Sequence, residues 1–113
     1  MKLRRNYLKN STINTIYFGG GTPSVLELYD IEKILKSIYE NFVISKSLEC
    51  TLEVNPNDLS KKKIKEYISL GVNRVSLGGQ SFNDRQLKKL NRTHTSKEIE
   101  SSIKLLQDLG LGN

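Results

Sequence analysis

Residues 19–23, Gly-Gly-Gly-Thr-Pro, follow directly on a run rich in β-branched and aromatic residues, Ile13, Ile16, Tyr17 and Phe18. Glycines carry no side chain, so their backbone N–H and C=O groups lie open to a closely held ligand. Thr22 adds a hydroxyl, and Pro23 fixes the direction in which the chain leaves. Two later stretches have the same character. Glu53-Val54-Asn55-Pro56 brings a carboxylate, and Gly78-Gly79-Gln80-Ser81-Phe82 brings a side-chain amide beside two more glycines. Bare loops and one carboxylate suit a small polar ligand with amino, hydroxyl and carboxylate groups. They do not suit the known phosphate cradles: neither the P-loop pattern nor Gly-x-Gly-x-x-Gly follows the first apolar run.

Regular elements must bring these loops together. Residues 13–18 read as a strand by β propensity. From Leu28 to Phe42, Ile31, Ile34, Leu35, Ile38, Tyr39 and Phe42 recur at helical spacing. Ser45 to Ser47 read as a polar turn, residues 49–54 as a second strand, and Asn55 to Asp58 as the turn that ends it. Ser60 is placed to cap a helix carrying Ile64, Tyr67 and Ile68, with Gly71 closing it. Lys61, Lys62 and Lys63 stand in its first turn, against the helix dipole. Arg74 to Leu77 form the third strand. Asn83 with Gln86, and Thr95 with Glu98, read as capping boxes for two more helices, with Gly110 ending the last. The order β-α-β-α-β-α-α implies right-handed crossovers and a parallel sheet. In such folds, loops at the C-terminal ends of strands build the site. A full α/β barrel takes about 250 residues. A chain of 113 residues holds roughly half of one.

Composition bounds the rest. The chain is 36% hydrophobic and 27% charged, an ordinary globular balance. Its net charge of +6 comes mostly from Lys2, Arg4, Arg5 and Lys9, which all precede the first acid, Glu27. Residues 1–12 are thus a basic N-terminal arm and 13–113 the folded unit. The arm admits a rival reading, a non-catalytic binding module for an anionic partner, but nothing in it specifies bases or a groove, which argues against nucleic acid. Cys50 is the single cysteine, so neither an internal disulfide nor a metal centre is expected of this chain. With no apolar stretch of membrane-spanning length, the chain reads as cytoplasmic.

Each residue also has an ordinary reading. Gly19 to Gly21 fit a tight strand-to-helix turn, Glu53 a strand-end carboxylate, Gln80 a loop cap and Arg92 a surface charge. His94 reads as structural or surface, and Tyr17 and Phe18 as core.

Four ordered blocks add to this. Tyr17-Phe18-Gly19-Gly20-Gly21-Thr22-Pro23-Ser24, Thr51 to Pro56, Gly71 to Gly78 with Gln80-Ser81-Phe82, and Leu90-Asn91-Arg92-Thr93-His94 resemble radical S-adenosylmethionine proteins. The resemblance is to the oxygen-independent coproporphyrinogen III oxidase family, with Asn55-Pro56 and Gln80-Ser81-Phe82 leaning toward its HemW-type haem chaperone branch. It implies a partial TIM-type (β/α) barrel with parallel strands, S-adenosylmethionine as cofactor, and a [4Fe-4S] cluster in the complete family protein. There, the cluster cleaves S-adenosylmethionine to a 5′-deoxyadenosyl radical; the oxidase decarboxylates porphyrinogen propionates, whereas the chaperone branch binds and delivers haem.

Carried over, Gly20, Gly21, Thr22, Glu53, Gln80 and Arg92 fall on S-adenosylmethionine contacts. The two glycines would offer backbone groups to the methionine part. Glu53 would accept from an ammonium or from ribose hydroxyls. Gln80 would serve the ribose and Arg92 the carboxylate. The family's three cluster cysteines are absent, and Cys50, read as the start of a strand, cannot replace them. No catalytic or metal residue is therefore assigned, and no radical chemistry is expected of this chain by itself, whether it is a fragment or an inactive truncated product. Gly79 departs from the family's usual Val, which would loosen its loop. Self-association through open sheet edges is a further expectation.

Overall fold

The computed structural model describes residues 11–21 and 23–112. The basic residues of the arm and Thr22 lie outside the described residues. Three strands form one sheet in the order β1 (Thr12–Phe18), β2 (Val43–Val54), β3 (Arg74–Leu77), and both pairings are parallel. The crossovers are α1 (Leu28–Asn41) and α2 (Lys61–Ser69), while α3 (Asp84–Lys89) and α4 (Ser96–Asp108) follow β3. Single turns of 3₁₀ helix at Pro23–Val25 and Pro56–Asp58 follow the first two strands. The sequence order of elements is the observed one, and β1 begins one residue before the expected boundary.

Two readings need correction. Ser45 to Ser47 do not end an element: β2 runs through them. The register passes from Ile13↔Ile44 to Thr15↔Glu49, so β2 accommodates the three residues as an irregularity in the ladder. Ser45 Oγ meets Ser47 Oγ at 3.1 Å and accepts from the Ser47 N–H at 3.2 Å, a local bond of the kind that made these serines read as a turn. Cys50 accordingly sits well inside β2, fully buried, rather than at its start. The other correction is the box read at Asn83 and Gln86. Asn83 Oδ1 does cap α3, accepting from the N–H groups of Arg85 and Gln86. Gln86, however, takes the Ser81 hydroxyl at 2.6 Å, and that same hydroxyl accepts from the Asn83 N–H.

The remaining helix signals hold. Ser60 Oγ accepts from Lys63 N–H, and Gly71, at φ +95°, ends α2 with Val72 N–H bonded back to the Tyr67 carbonyl. Thr95 and Glu98 form a complete capping box. Of the three first-turn lysines, Lys63 reaches the Ser24 carbonyl at 3.4 Å, which gives its charge a local use; Lys62 makes a solvent-exposed pair with Glu66.

The core lies on one face of the sheet. Ile16, Cys50, Leu52 and Val54 pack against Ile31, Leu35 and Ile38 of α1 and Tyr67 of α2. Ile64 joins Leu106 and Leu111 in a second cluster beneath α4. Registered residues of a sheet share a face. The pairs Tyr17↔Thr51, Thr51↔Arg74 and Glu53↔Ser76 therefore occupy the opposite face, with Glu49 bonded to Arg74 at 3.3 Å. That polar face is the one not covered by the helix-packed core, and Ile16 and Leu52 face the helices.

Asn73 pins β3 to β2. Its side chain accepts from Cys50 N–H at 2.8 Å and donates to the Leu48 carbonyl at 2.7 Å, acting as one more rung of the ladder.

Candidate functional site

Parallel pairing brings the three post-strand loops to one rim. There Gly21, Glu53, Asn55, Gly78, Gln80 and Arg92 line a polar cavity of about 280 Å³. Four of the residues singled out from sequence, Gly21, Glu53, Gln80 and Arg92, thus share one cavity.

The three glycines have different reasons to be glycine. At Gly19 a Cβ would lie 2.4 Å from Tyr17 Cε1 and 3.1 Å from Glu53 Cδ. Gly20 and Gly21 have open space where a Cβ would stand, but their φ values of +82° and +67° are left-handed. Gly20 donates its N–H to Glu53 Oε2 at 3.1 Å, so that group is used within the chain, and Gly20 itself borders an apolar groove beside β1 rather than the polar cavity.

Glu53 is held from two sides. Tyr17 donates its hydroxyl to Oε1 at 2.5 Å, while Gly20 N–H holds Oε2. These bonds, Tyr17's first, keep the Glu53 carboxyl below the usual glutamate range; the same contact raises the Tyr17 phenol. Tyr17 is 57% exposed, so the expectation that it is a core residue fails: it stands on the polar face. Phe18, half-buried, packs against the core as expected.

Gln80 is exposed and has φ of +64°, a conformation that costs a non-glycine residue energy and recurs at functional sites. Nothing in the sequence flagged this backbone. Two short turns hold it, from Gly79 N–H to the Leu77 carbonyl and from Ser81 N–H to the Gly79 carbonyl, both at 2.8 Å.

Arg92 is half-buried, and no carboxylate pairs with it among the described residues. Its segment is fixed by three bonds. Arg92 N–H closes the end of α3 on the Leu87 carbonyl, with Asn91 at φ +53°. Asn57 Nδ2 donates to Thr93 Oγ1 at 2.8 Å. His94 Nε2 lies 3.1 Å from the Gly79 carbonyl, and the ring is 5% exposed, which makes His94 structural. Asn91 as the helix stop was missed from sequence; its signal is the tolerance of Asn for left-handed backbone.

The loop after β2 is braced from beneath. Asp58 Oδ2 accepts from Ser24 Oγ at 2.6 Å and from Asn55 Nδ2 at 3.4 Å, joining the first loop to the second. Ser24, fully buried, is another residue that sequence reasoning passed over.

A parallel βα sheet with its helices on one face and its post-strand loops around a polar cavity has the layout of an α/β-barrel segment. The radical SAM superfamily pattern matches residues 2–113, and the chain belongs to that superfamily. It is 45% identical over 101 residues to the heme chaperone HemW of Lactococcus lactis, covering 89% of this chain and 27% of that protein. The heme chaperone HemW of Escherichia coli is 35% identical over 105 residues, which cover 93% and 28%. Among solved structures, the coproporphyrinogen III oxidase HemN of Escherichia coli, described as a radical SAM enzyme, superposes with a TM-score of 0.84 at 25% identity, over 97% of this chain and 25% of that one. The chain thus spans about a quarter of the length of the curated relatives it matches. The family, the partial α/β barrel and the likeness to the haem chaperone and oxidase group all follow as read from the four sequence blocks.

Radical SAM proteins as a superfamily use S-adenosylmethionine and a [4Fe-4S] cluster. The cavity's donor set fits the first: a carboxylate, an amide, a guanidinium and open backbone. The second does not fit this chain. Its one cysteine is fully buried on the helix-covered face, and among the described residues no three His, Cys, Asp or Glu side chains converge. Among the described residues no helix is long and apolar enough to cross a membrane.

Proposed function

We propose that this rim is the S-adenosylmethionine-binding face of a HemW-type haem chaperone, with haem rather than porphyrinogen as the molecule served. The observation that carries the reading is the convergence of Glu53, Gln80, Arg92 and Gly21 on one polar cavity. Within it, Arg92 offers a guanidinium fork to a carboxylate. Glu53 offers the remaining lone pairs of a carboxylate already oriented by Tyr17 and Gly20, suited to an ammonium or ribose hydroxyls. Gln80 offers both a donor and an acceptor to the ribose, and Gly21 backbone groups. Thr22 keeps its place in this set from the sequence block alone, and Gly20 contributes through Glu53 as well as through its carbonyl. When bound, S-adenosylmethionine supplies a cleavable sulfonium; the residues of this chain hold and orient it. The haem preference rests on the relatives' names, with 45% and 35% identity to heme chaperones against 25% to the oxidase. A cytoplasmic setting is inferred from the single unpaired cysteine.

Titration calorimetry of S-adenosylmethionine into the chain tests the ligand. Weak saturable binding is expected, lowered about tenfold by Arg92→Ala and by Glu53→Gln, since each removes a hydrogen bond to a charged group. A folded chain that gives no saturable heat, or variants that bind as well as the parent, would overturn the assignment.

A further inference from the structure

We propose that Tyr17 is the positioning residue for the Glu53 carboxylate, and that residue 19 is glycine so that Tyr17 can reach it. This rests on the reading of the rim as a ligand site and adds a residue to it. Tyr17 and Gly19 are two apart in an extended segment, so they face the same side. The Tyr17 ring leans over Gly19 into space that a side chain would otherwise fill, 2.4 Å from Cε1 to the place of a Cβ. That lean ends in the 2.5 Å bond from the phenol to Glu53 Oε1.

The backbone of Gly19 is not left-handed, unlike that of Gly20 and Gly21, so conformation does not account for the glycine; crowding does. The carboxylate is then clamped between a β1 side chain and a loop N–H, with its remaining lone pairs left for a ligand. Other groups face this pair. Ser76 and Arg74 of β3 both act to lower the phenol against the effect of Glu53; Arg74 is itself paired with Glu49, and Arg92 lines the same cavity as Glu53. Of these, only Tyr17 gives the carboxylate a side-chain hydrogen bond, and it heads the causes of the carboxylate's acid shift.

The test has two readouts on the whole chain. The first is a carbon-detected NMR titration of the Glu53 carboxyl. Its midpoint is expected below the ordinary glutamate range in the parent, and to move up toward that range in Tyr17→Phe. Gly19→Ala should do the same, because its methyl displaces the ring. Tyr17 is largely exposed, so Tyr17→Phe is expected to leave the amide spectrum folded. The second is calorimetry with S-adenosylmethionine, in which Tyr17→Phe should bind about tenfold more weakly at neutral pH and lose binding at a higher pH on the acid side. An unchanged midpoint, or an unchanged affinity beside a shifted midpoint, overturns the positioning role, and a parent-like Gly19→Ala overturns the account of the glycine. If the parent binds no S-adenosylmethionine, the ligand reading fails, while the carboxyl titration still decides whether Tyr17 sets the state of Glu53.

Discussion

At the scale of single residues, the rim pairs stable contacts with stored cost. Gln80 holds a left-handed backbone that a glycine would adopt more easily. Gln80→Gly is therefore expected to stabilise the fold by up to about 1 kcal/mol while weakening S-adenosylmethionine, since the amide is lost. Denaturant melts beside calorimetry would show both; a destabilised Gln80→Gly would mean the strain is absent. Gly79 is the opposite case. Its backbone is ordinary, and an added Cβ would sit 3.4 Å from Ile99 Cγ2, in van der Waals contact. Gly79→Ala should gain about 0.4–1 kcal/mol by narrowing the unfolded ensemble. Cys50 is the third case: burial pushes its thiol up, so a thiol reagent should label it only as the chain unfolds. Labelling in native buffer at the rate seen in denaturant would contradict its burial. The residue types of the site were legible in the sequence because four blocks keep their order and spacing. The Tyr17–Glu53 bond was not, since it joins β1 to β2 across the sheet and depends on a missing side chain at Gly19.

At the scale of elements, local signals and tertiary demands separate clearly. Thr95, Ser60 and Gly71 act as read, because caps depend on a few neighbouring residues. Thr95→Ala should cost about 1 kcal/mol in a denaturant melt, the usual loss for an N-cap. The two failures had different causes. Ser45 to Ser47 have turn chemistry, yet pairing on both sides of them draws the segment into β2. Gln86 has the spacing of a capping box, but Ser81 offers a nearer hydroxyl. The parallel order of strands was legible from the alternation of elements, and the alternation of Cys50, Leu52 and Val54 with Thr51 and Glu53 carries the signal for the face the helices cover. The helix starts also carry pH dependence. Bonds from Thr95, backbone first, lower the Glu98 carboxyl, and bonds from Ser96, backbone first, lower that of Asp84. Both groups, like Glu53, hold protons less readily folded than unfolded. Their contribution is present above the ordinary carboxylate range and is lost as pH falls through the lowered folded values. The melting temperature should stay level from neutral pH down to about 5 and fall below it, with Glu98→Gln making the fall shallower. An equally steep fall in Glu98→Gln would remove Glu98 from the account.

At the scale of the whole molecule, the sheet decides behaviour. Leu52, Ile31 and Ile64 are fully buried on the helix-covered side of the sheet. The other face, with Tyr17, Glu49, Glu53 and Arg74, tolerates water. The liability lies at the sheet edges. Among the described residues, β1 and β3 each pair on one side only, which leaves a row of N–H and C=O groups on the outer side of each. Such rows accept strands from other chains. The β1 edge is the worse of the two: it is seven residues long against four for β3. It also borders an apolar groove of about 570 Å³ lined by Ile16, Phe18, Leu26, Ile34 and Ile38. Another copy's strand placed there would satisfy backbone groups and cover apolar surface together. The average mass in sedimentation velocity is thus expected to rise with protein concentration. Thr15→Lys places a charge on the exposed side of the β1 edge, away from the core and from the rim cavity. It should return the chain toward monomer without changing its melting temperature by more than about 2 °C, as a surface substitution outside any buried network. A parent chain that stays monomeric at every concentration would show that the β1 edge is already protected, and a Thr15→Lys variant that associates as strongly as the parent would move the contact elsewhere on the surface.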